Sequence, residues 1–137
     1  MNILFICKYN RFRSKIAEAF FNKLNKNKNH KAKSAGIIRG SPISKEIIDS
    51  AKDFGIVIKS KPKGLTTKLL KWQDMAIIVG DDIPKQIFKD NKKYDKKLIV
   101  WKIPDTASNK KKDIKKIILQ IKIKIIQLIK RTKSPAP

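Results

Sequence analysis

Residues 3–7 (Ile-Leu-Phe-Ile-Cys) form an unbroken apolar run, the pattern of a strand covered on both faces in a parallel sheet. Residues 32–38, 75–79 and 98–101 read as three more short strands, the third ended by Gly80-Asp81-Asp82. Between them the apolar spacing lengthens to three and four. Ile16, Ala17, Phe20, Phe21 and Leu24 predict a first helix, with Ser14 placed as its cap. Ile47, Ile48, Ala51 and Phe54 predict a second, opened by Ser44 and stopped at Gly55. Thr66 or Thr67 starts a third carrying Leu69, Leu70 and Trp72, and a short helix is expected around 84–88.

The last stretch carries two periods at once. Ile121, Ile123 and Ile125 alternate like a strand, and their β-branching favours one. Ile114, Ile117, Ile118, Ile121, Ile125 and Leu128 keep the helical period over a longer window. Asp113 at the start and Lys130-Arg131 at the end suit the helix dipole, so a terminal helix is predicted. A loose tail is expected at 133–137. Strands alternating with helices imply βαβ units, a mostly parallel sheet and right-handed crossovers. The length of 137 residues fits one domain, residues 1–132, and no repeat or linker divides it.

Composition adds two constraints. Thirty-four Lys+Arg against eleven Asp+Glu give a net charge of +23, a field that attracts nucleic acid, anionic lipid or small anions. The lysines are scattered through every segment, which favours a solvated, compositionally biased surface over a dedicated nucleic-acid site; nonspecific nucleic-acid binding is the partner this charge allows. No apolar run approaches the roughly 18–20 residues of a membrane span, and the start reads as a strand rather than a signal peptide. One cysteine excludes an internal disulfide, points to a reducing, cytoplasmic setting and turns interest to the thiol.

In such a sheet, ligands bind beyond the carboxyl ends of the strands, where loops open into helix N-termini. Cys7 stands at that end of the first strand, and the chain continues Lys8-Tyr9-Asn10-Arg11-Phe12-Arg13-Ser14, a C-x5-R-S pattern. Five residues between Cys and Arg allow successive backbone N–H groups to curl around an oxyanion. Arg13 would close that nest with a two-pronged contact to phosphate oxygens. Together with the helix terminus they favour the thiolate, and Ser14 would hydrogen-bond it.

These residues resemble the low-molecular-weight protein tyrosine phosphatases, whose loop runs C-x-x-N-x-x-R-S into a helix with Ala-Glu. The matching positions are Cys7, Asn10, Arg13, Ser14, Ala17 and Glu18, continuing through Ser34-Ala35-Gly36 to Ile103-Pro104-Asp105. The resemblance implies a flavodoxin-like single domain with a four-stranded parallel sheet flanked by helices. It implies hydrolysis of a phosphorylated protein or small phosphomonoester, with free phosphate as product and no metal or cofactor, by a monomer that needs no membrane. It further implies that Asn10 shapes the loop, that Ser34 supports it, and that a late Asp is the general acid. Asp105 matches best, with Asp81 and Asp82 as alternatives. Tyr9 stands where Gly is frequent, Phe12 where many members carry a second Cys, and Asp105-Thr106-Ala107-Ser108 replaces Asp-Pro and its aromatics. The usual aromatic wall for phosphotyrosine is therefore missing, and Tyr9 reads either as its replacement for stacking or as a surface aromatic of the loop. Lys8 and Arg39 are placed to steer acidic substrates, while His30 reads as solvated. Related arsenate reductases share the loop but pass oxidation to two further cysteines that this chain lacks, leaving only a version with an external thiol. A basic anion-binding protein without turnover is the other alternative.

Overall fold

The computed structural model describes residues 1–59 and 61–132; the tail expected at 133–137 lies outside the described residues. The chain runs β1 (Asn2–Cys7), α1 (Arg13–Leu24), β2 (Lys31–Gly36), α2 (Lys45–Asp53), α3 (Thr67–Trp72), β3 (Met75–Val79), a 3-10 turn (Lys85–Phe88), β4 (Lys97–Trp101) and α4 (Lys111–Thr132). The four strands form one parallel sheet in the order β2-β1-β3-β4. From β1 the chain first winds to one side and then, after β2, to the other. The order therefore reverses beside β1, and its carboxyl end, where Cys7 lies, is the topological switch point.

Strand alternation divides the core between two faces. Ile3, Phe5, Ile77, Val79 and Trp101 pack with Phe20 and Phe21 of α1 and the inward isoleucines of α4. Leu4, Ile6, Ala76 and Ile78 meet Phe88 and, at its margin, Leu69, Leu70 and Trp72 of α3. Both faces are covered, which is why the strands read as continuous apolar runs. Tertiary packing decides the ambiguous last stretch: Ile114, Ile117, Ile118, Ile121, Ile125, Leu128 and Ile129 are buried along one side of α4, whereas Ile123 is exposed. An alternating strand would have put Ile123 on the same face as Ile121 and Ile125. Removing the middle of this seam has a predictable cost. Ile121→Ala should lower stability by about 2–5 kcal/mol, read as a lower urea midpoint at unchanged m.

Two local expectations need correction. Ser14 does not cap α1: the cap position is Phe12, which makes no side-chain capping bond, and Ser14 lies inside the first turn with its hydroxyl turned toward Cys7. The second strand runs from Lys31 to Gly36 rather than over 32–38. Past Gly36 the amides of Ile37, Ile38 and Gly40 bond the carbonyls of Cys7, Lys8 and Tyr9, so the chain leaves the sheet to brace the loop after β1. Ser44 does cap α2, accepting from the amide of Ile47, and Gly55 takes the positive φ of 76° that ends that element. No helix among the described residues is long and apolar enough to cross a membrane.

Candidate active site

The loop between Cys7 and α1 owes its shape to Asn10. Asn10 is fully buried with φ 54°, a left-handed conformation that Asn tolerates better than most residues. Its side-chain oxygen accepts from the amide of Lys63 at 3.0 Å, which fixes the amide orientation. Gly36 permits the close approach: a Cβ there would lie 2.7 Å from the backbone of Tyr9 and Asn10. Among the described residues, none of the amides of Lys8 to Ser14 donates to a protein acceptor. Seven consecutive free N–H groups, the last at the N-terminus of a 12-residue helix, supply the donors an oxyanion requires.

Behind the loop, a buried hydrogen-bond network centred on Asn10 reaches the thiol. Asn10 Nδ2 donates to Ser14 Oγ at 2.7 Å and to Ser34 Oγ at 3.0 Å. The Ser34 hydroxyl proton goes to Glu18 Oε1 at 2.8 Å. Ser14 Oγ accepts from Asn10 and lies 2.9 Å from Cys7 Sγ; once the thiol has lost its proton, the hydroxyl is the donor of that pair. Ser14 is thus positioned to donate to a thiolate.

Arg13 is 1% exposed. Its Nη1 donates to the carbonyl of Ile103 at 3.0 Å, and Nη2 donates to both carboxylate oxygens of Asp82 at 3.2 Å. Asp105 Oδ2 lies 3.8 Å from the same Nη2. Of the three candidate acids, Asp81 is outside the lining of the Cys7 pocket, and Asp82 and Asp105 differ in place. Asp82 is fastened to Arg13, whereas Asp105 lines the pocket of ≈ 160 Å³ that contains Cys7. Tyr9, Arg11, Phe12, Arg13, Ser44, Ile47, Ile114 and residues 106–109 complete that lining. Gly80 is a tight spot, because a Cβ would fall 2.5 Å from Arg13 Nη1 and 2.9 Å from Asp82 Oδ1. Gly80→Ala should displace the guanidinium and weaken vanadate inhibition about tenfold or more, since a charge-assisted hydrogen bond contributes about 1.5–3 kcal/mol.

Other expected residues are placed differently. Arg11 turns aside to bond the carbonyls of Ser41 and Pro42 and forms the pocket rim. The Lys8 ammonium sits over the Tyr9 ring, 5.3 Å from its centroid. Lys8 and Arg39 are both outside the lining of the Cys7 pocket; Arg39 lines a separate cavity with Pro42 and Ile43. Half-buried His30 is not simply solvated, as Nε2 lies 3.3 Å from the carbonyl of Thr132. Sequence reasoning missed Asp82 as the partner of Arg13 and Lys63 as the donor to Asn10. For Asp82 a signal existed: like Asp105, it lies in the short loop that follows a strand at the carboxyl edge. Lys63 contributes only a backbone amide and leaves no trace in residue type. Among the described residues, no group of three or more His, Cys, Asp or Glu side chains could hold a metal.

A Cys–Arg anion loop at the switch point of a small parallel sheet defines the class of compact cysteine-dependent phosphatases and their relatives. The model of the low molecular weight phosphotyrosine protein phosphatase family matches residues 2–135, and the chain belongs to that family. No curated protein sequence matched. Among solved structures, the low molecular weight protein tyrosine phosphatase from T. tengcongensis is 28% identical, with 96% of this chain and 99% of that one covered and a TM-score of 0.82. The YwlE arginine phosphatase from Geobacillus stearothermophilus is 19% identical, with coverage of 97% and 93% and a TM-score of 0.84. An arsenate reductase from Archaeoglobus fulgidus is 23% identical, with coverage of 93% and 98% and a TM-score of 0.73. The last two likenesses are of fold. Family membership supports a phosphatase role.

Proposed function

We propose that the protein hydrolyses phosphomonoesters through a phosphoryl group carried on Cys7, with tyrosine-phosphorylated protein as the substrate class. The observation that carries this reading is the buried Cys7 thiol, 2.9 Å from Ser14 Oγ, at the start of seven consecutive amides without a protein acceptor and with Arg13 lining the same pocket. The thiolate attacks phosphorus in line. The loop amides and Arg13 hold the equatorial oxygens, whose charge changes most in the transition state. Asp105 protonates the departing oxygen and, as a carboxylate, then takes a proton from the water that releases phosphate. No step needs a metal or cofactor.

Tyr9, Phe12, Ile47 and Ile114 give the pocket an apolar part of its lining, which supports an aromatic leaving group. Thr106, Ser108 and Asn109 add polar groups. The test is turnover of p-nitrophenyl phosphate, its inhibition by vanadate, and a panel of phosphotyrosine, phosphoserine and phosphoarginine peptides. The reading expects turnover, inhibition and preference for phosphotyrosine. Preference for phosphoarginine would move the substrate class and keep the chemistry; absence of turnover on every substrate would remove both.

A further inference from the structure

We propose that the outward side of α4 is a docking surface for an anionic lipid membrane, on which the protein lies peripherally. Folding accounts for one apolar side of this helix, the isoleucine seam around Ile121 that is buried in the core. Leu119, Ile123 and Ile126 follow each other at spacings of four and three residues, which brings them together on the opposite side. They are 48%, 49% and 37% exposed. A helix with one buried side is ordinarily polar on the other. Val57 and Tyr94 are exposed as well, but they stand singly on separate connectors, and scattered apolar residues need no cause. The three on α4 are neighbours.

The charge around the stripe selects its occupant. Lys112, Lys116 and Lys130 continue the outward side toward both ends of α4 and are exposed, and Lys122 stands beside it. Asp113 is the one acidic residue of the helix. Nucleic acid would use these lysines but gain nothing from leucine and isoleucine set against phosphate. A second copy would bring the same charge, and +23 on each chain opposes that pairing. A folded acidic partner needs about 800 Å² of matched surface on each side, and three side chains on the convex ridge of one helix offer a small part of it. An anionic lipid surface matches both features. The apolar tips enter the boundary below the headgroups, while the lysine stems lie along it with their ammonium groups among the phosphates. The positive field of the whole chain draws the protein to such a surface, and the stripe sets which side faces it. Ile114, on the inward side of α4, lines the Cys7 pocket, so a membrane on the outward side leaves that pocket uncovered. Docking is peripheral, and the chemistry at Cys7 does not depend on it.

The test is cosedimentation of the full chain with vesicles of equal parts phosphatidylglycerol and phosphatidylcholine, and with vesicles of phosphatidylcholine alone. Wild type should bind the first and not the second. The double variant Leu119→Gln/Ile123→Gln keeps every charge and should bind the anionic vesicles about tenfold more weakly. Val57→Gln should bind them as wild type does, and all three proteins should bind double-stranded DNA equally. Undiminished vesicle binding by the double variant, or an equal loss in Val57→Gln, overturns the proposal and leaves charge alone as the cause. A matching loss of DNA binding in the double variant, or no vesicle binding by wild type, overturns it too. Both substituted positions lie outside the buried seam, so the thermal transition should stay within a few degrees of wild type. If it does not, Ile126→Gln decides by the same criteria.

Discussion

Cys7→Ser protein releases p-nitrophenol from p-nitrophenyl phosphate at least about 10⁴-fold more slowly than wild type, while its thermal transition stays within a few degrees. The size of the loss follows from the chemistry of the atom removed. A serine hydroxyl is un-ionised at neutral pH and attacks phosphorus far more slowly than a thiolate, and a serine ester lacks the easily displaced thiolate of the second step. The anion nest should survive, because the loop amides, Arg13 and Asn10 are untouched. Phosphate should still protect the variant against thermal unfolding. Full turnover in Cys7→Ser would mean that another group attacks phosphorus.

The second large effect is expected at Asp105, and it should depend on the substrate. Asp105→Asn should slow hydrolysis of an alkyl phosphate by about 10²–10⁴-fold, the usual contribution of a general acid. With p-nitrophenyl phosphate, whose leaving group departs as a stable anion, the first step should lose far less. Asp82→Asn is the contrasting variant. Asp82 holds Arg13 through two 3.2 Å contacts, so its loss should weaken transition-state binding to similar extents for both substrates. The pattern across leaving groups separates the acid from the residue that aims the guanidinium, even if both variants are slow. Equal losses of kcat/KM, which reads the first step alone, on the two substrates in Asp105→Asn would take the acid role away from that residue.

Much of this arrangement is readable in the chain because its causes are local. Residues 3–7 are apolar at every position, since a strand in the middle of a parallel sheet is covered on both faces, and the observed β1 is buried from Ile3 onward. The spacing of Cys7, Arg13 and Ser14 places a loop between a strand and a helix, and the fold leaves them there. The parts that sequence did not disclose depend on contacts made across the fold. Ser14 has the residue type of a cap, yet its hydroxyl is claimed by Cys7 and Asn10, so tertiary hydrogen bonding overrides local propensity. Ile37 and Ile38 have β propensity, but the Ile37 amide reaches only the last residue of β1, Cys7, and the Ile38 amide bonds Lys8 in the loop, so the strand ends at Gly36. Asp82 and Asp105 cannot be ranked by type alone. Only the bidentate contact of one with Arg13, and the presence of the other in the Cys7 pocket, distinguishes them.

The most direct test of the account is whether the phosphoryl group passes through Cys7. Asp105→Asn protein should be mixed with p-nitrophenyl phosphate, quenched within the first turnover and analysed by intact-protein and peptide mass spectrometry, with p-nitrophenolate release followed in parallel. In this variant the leaving group departs readily, but the water of the second step has lost its base. The account predicts a burst of about one equivalent of p-nitrophenolate and a matching phosphoryl adduct on Cys7. Linear release from the first turnover, with the protein mass unchanged or the adduct on another residue, would contradict it.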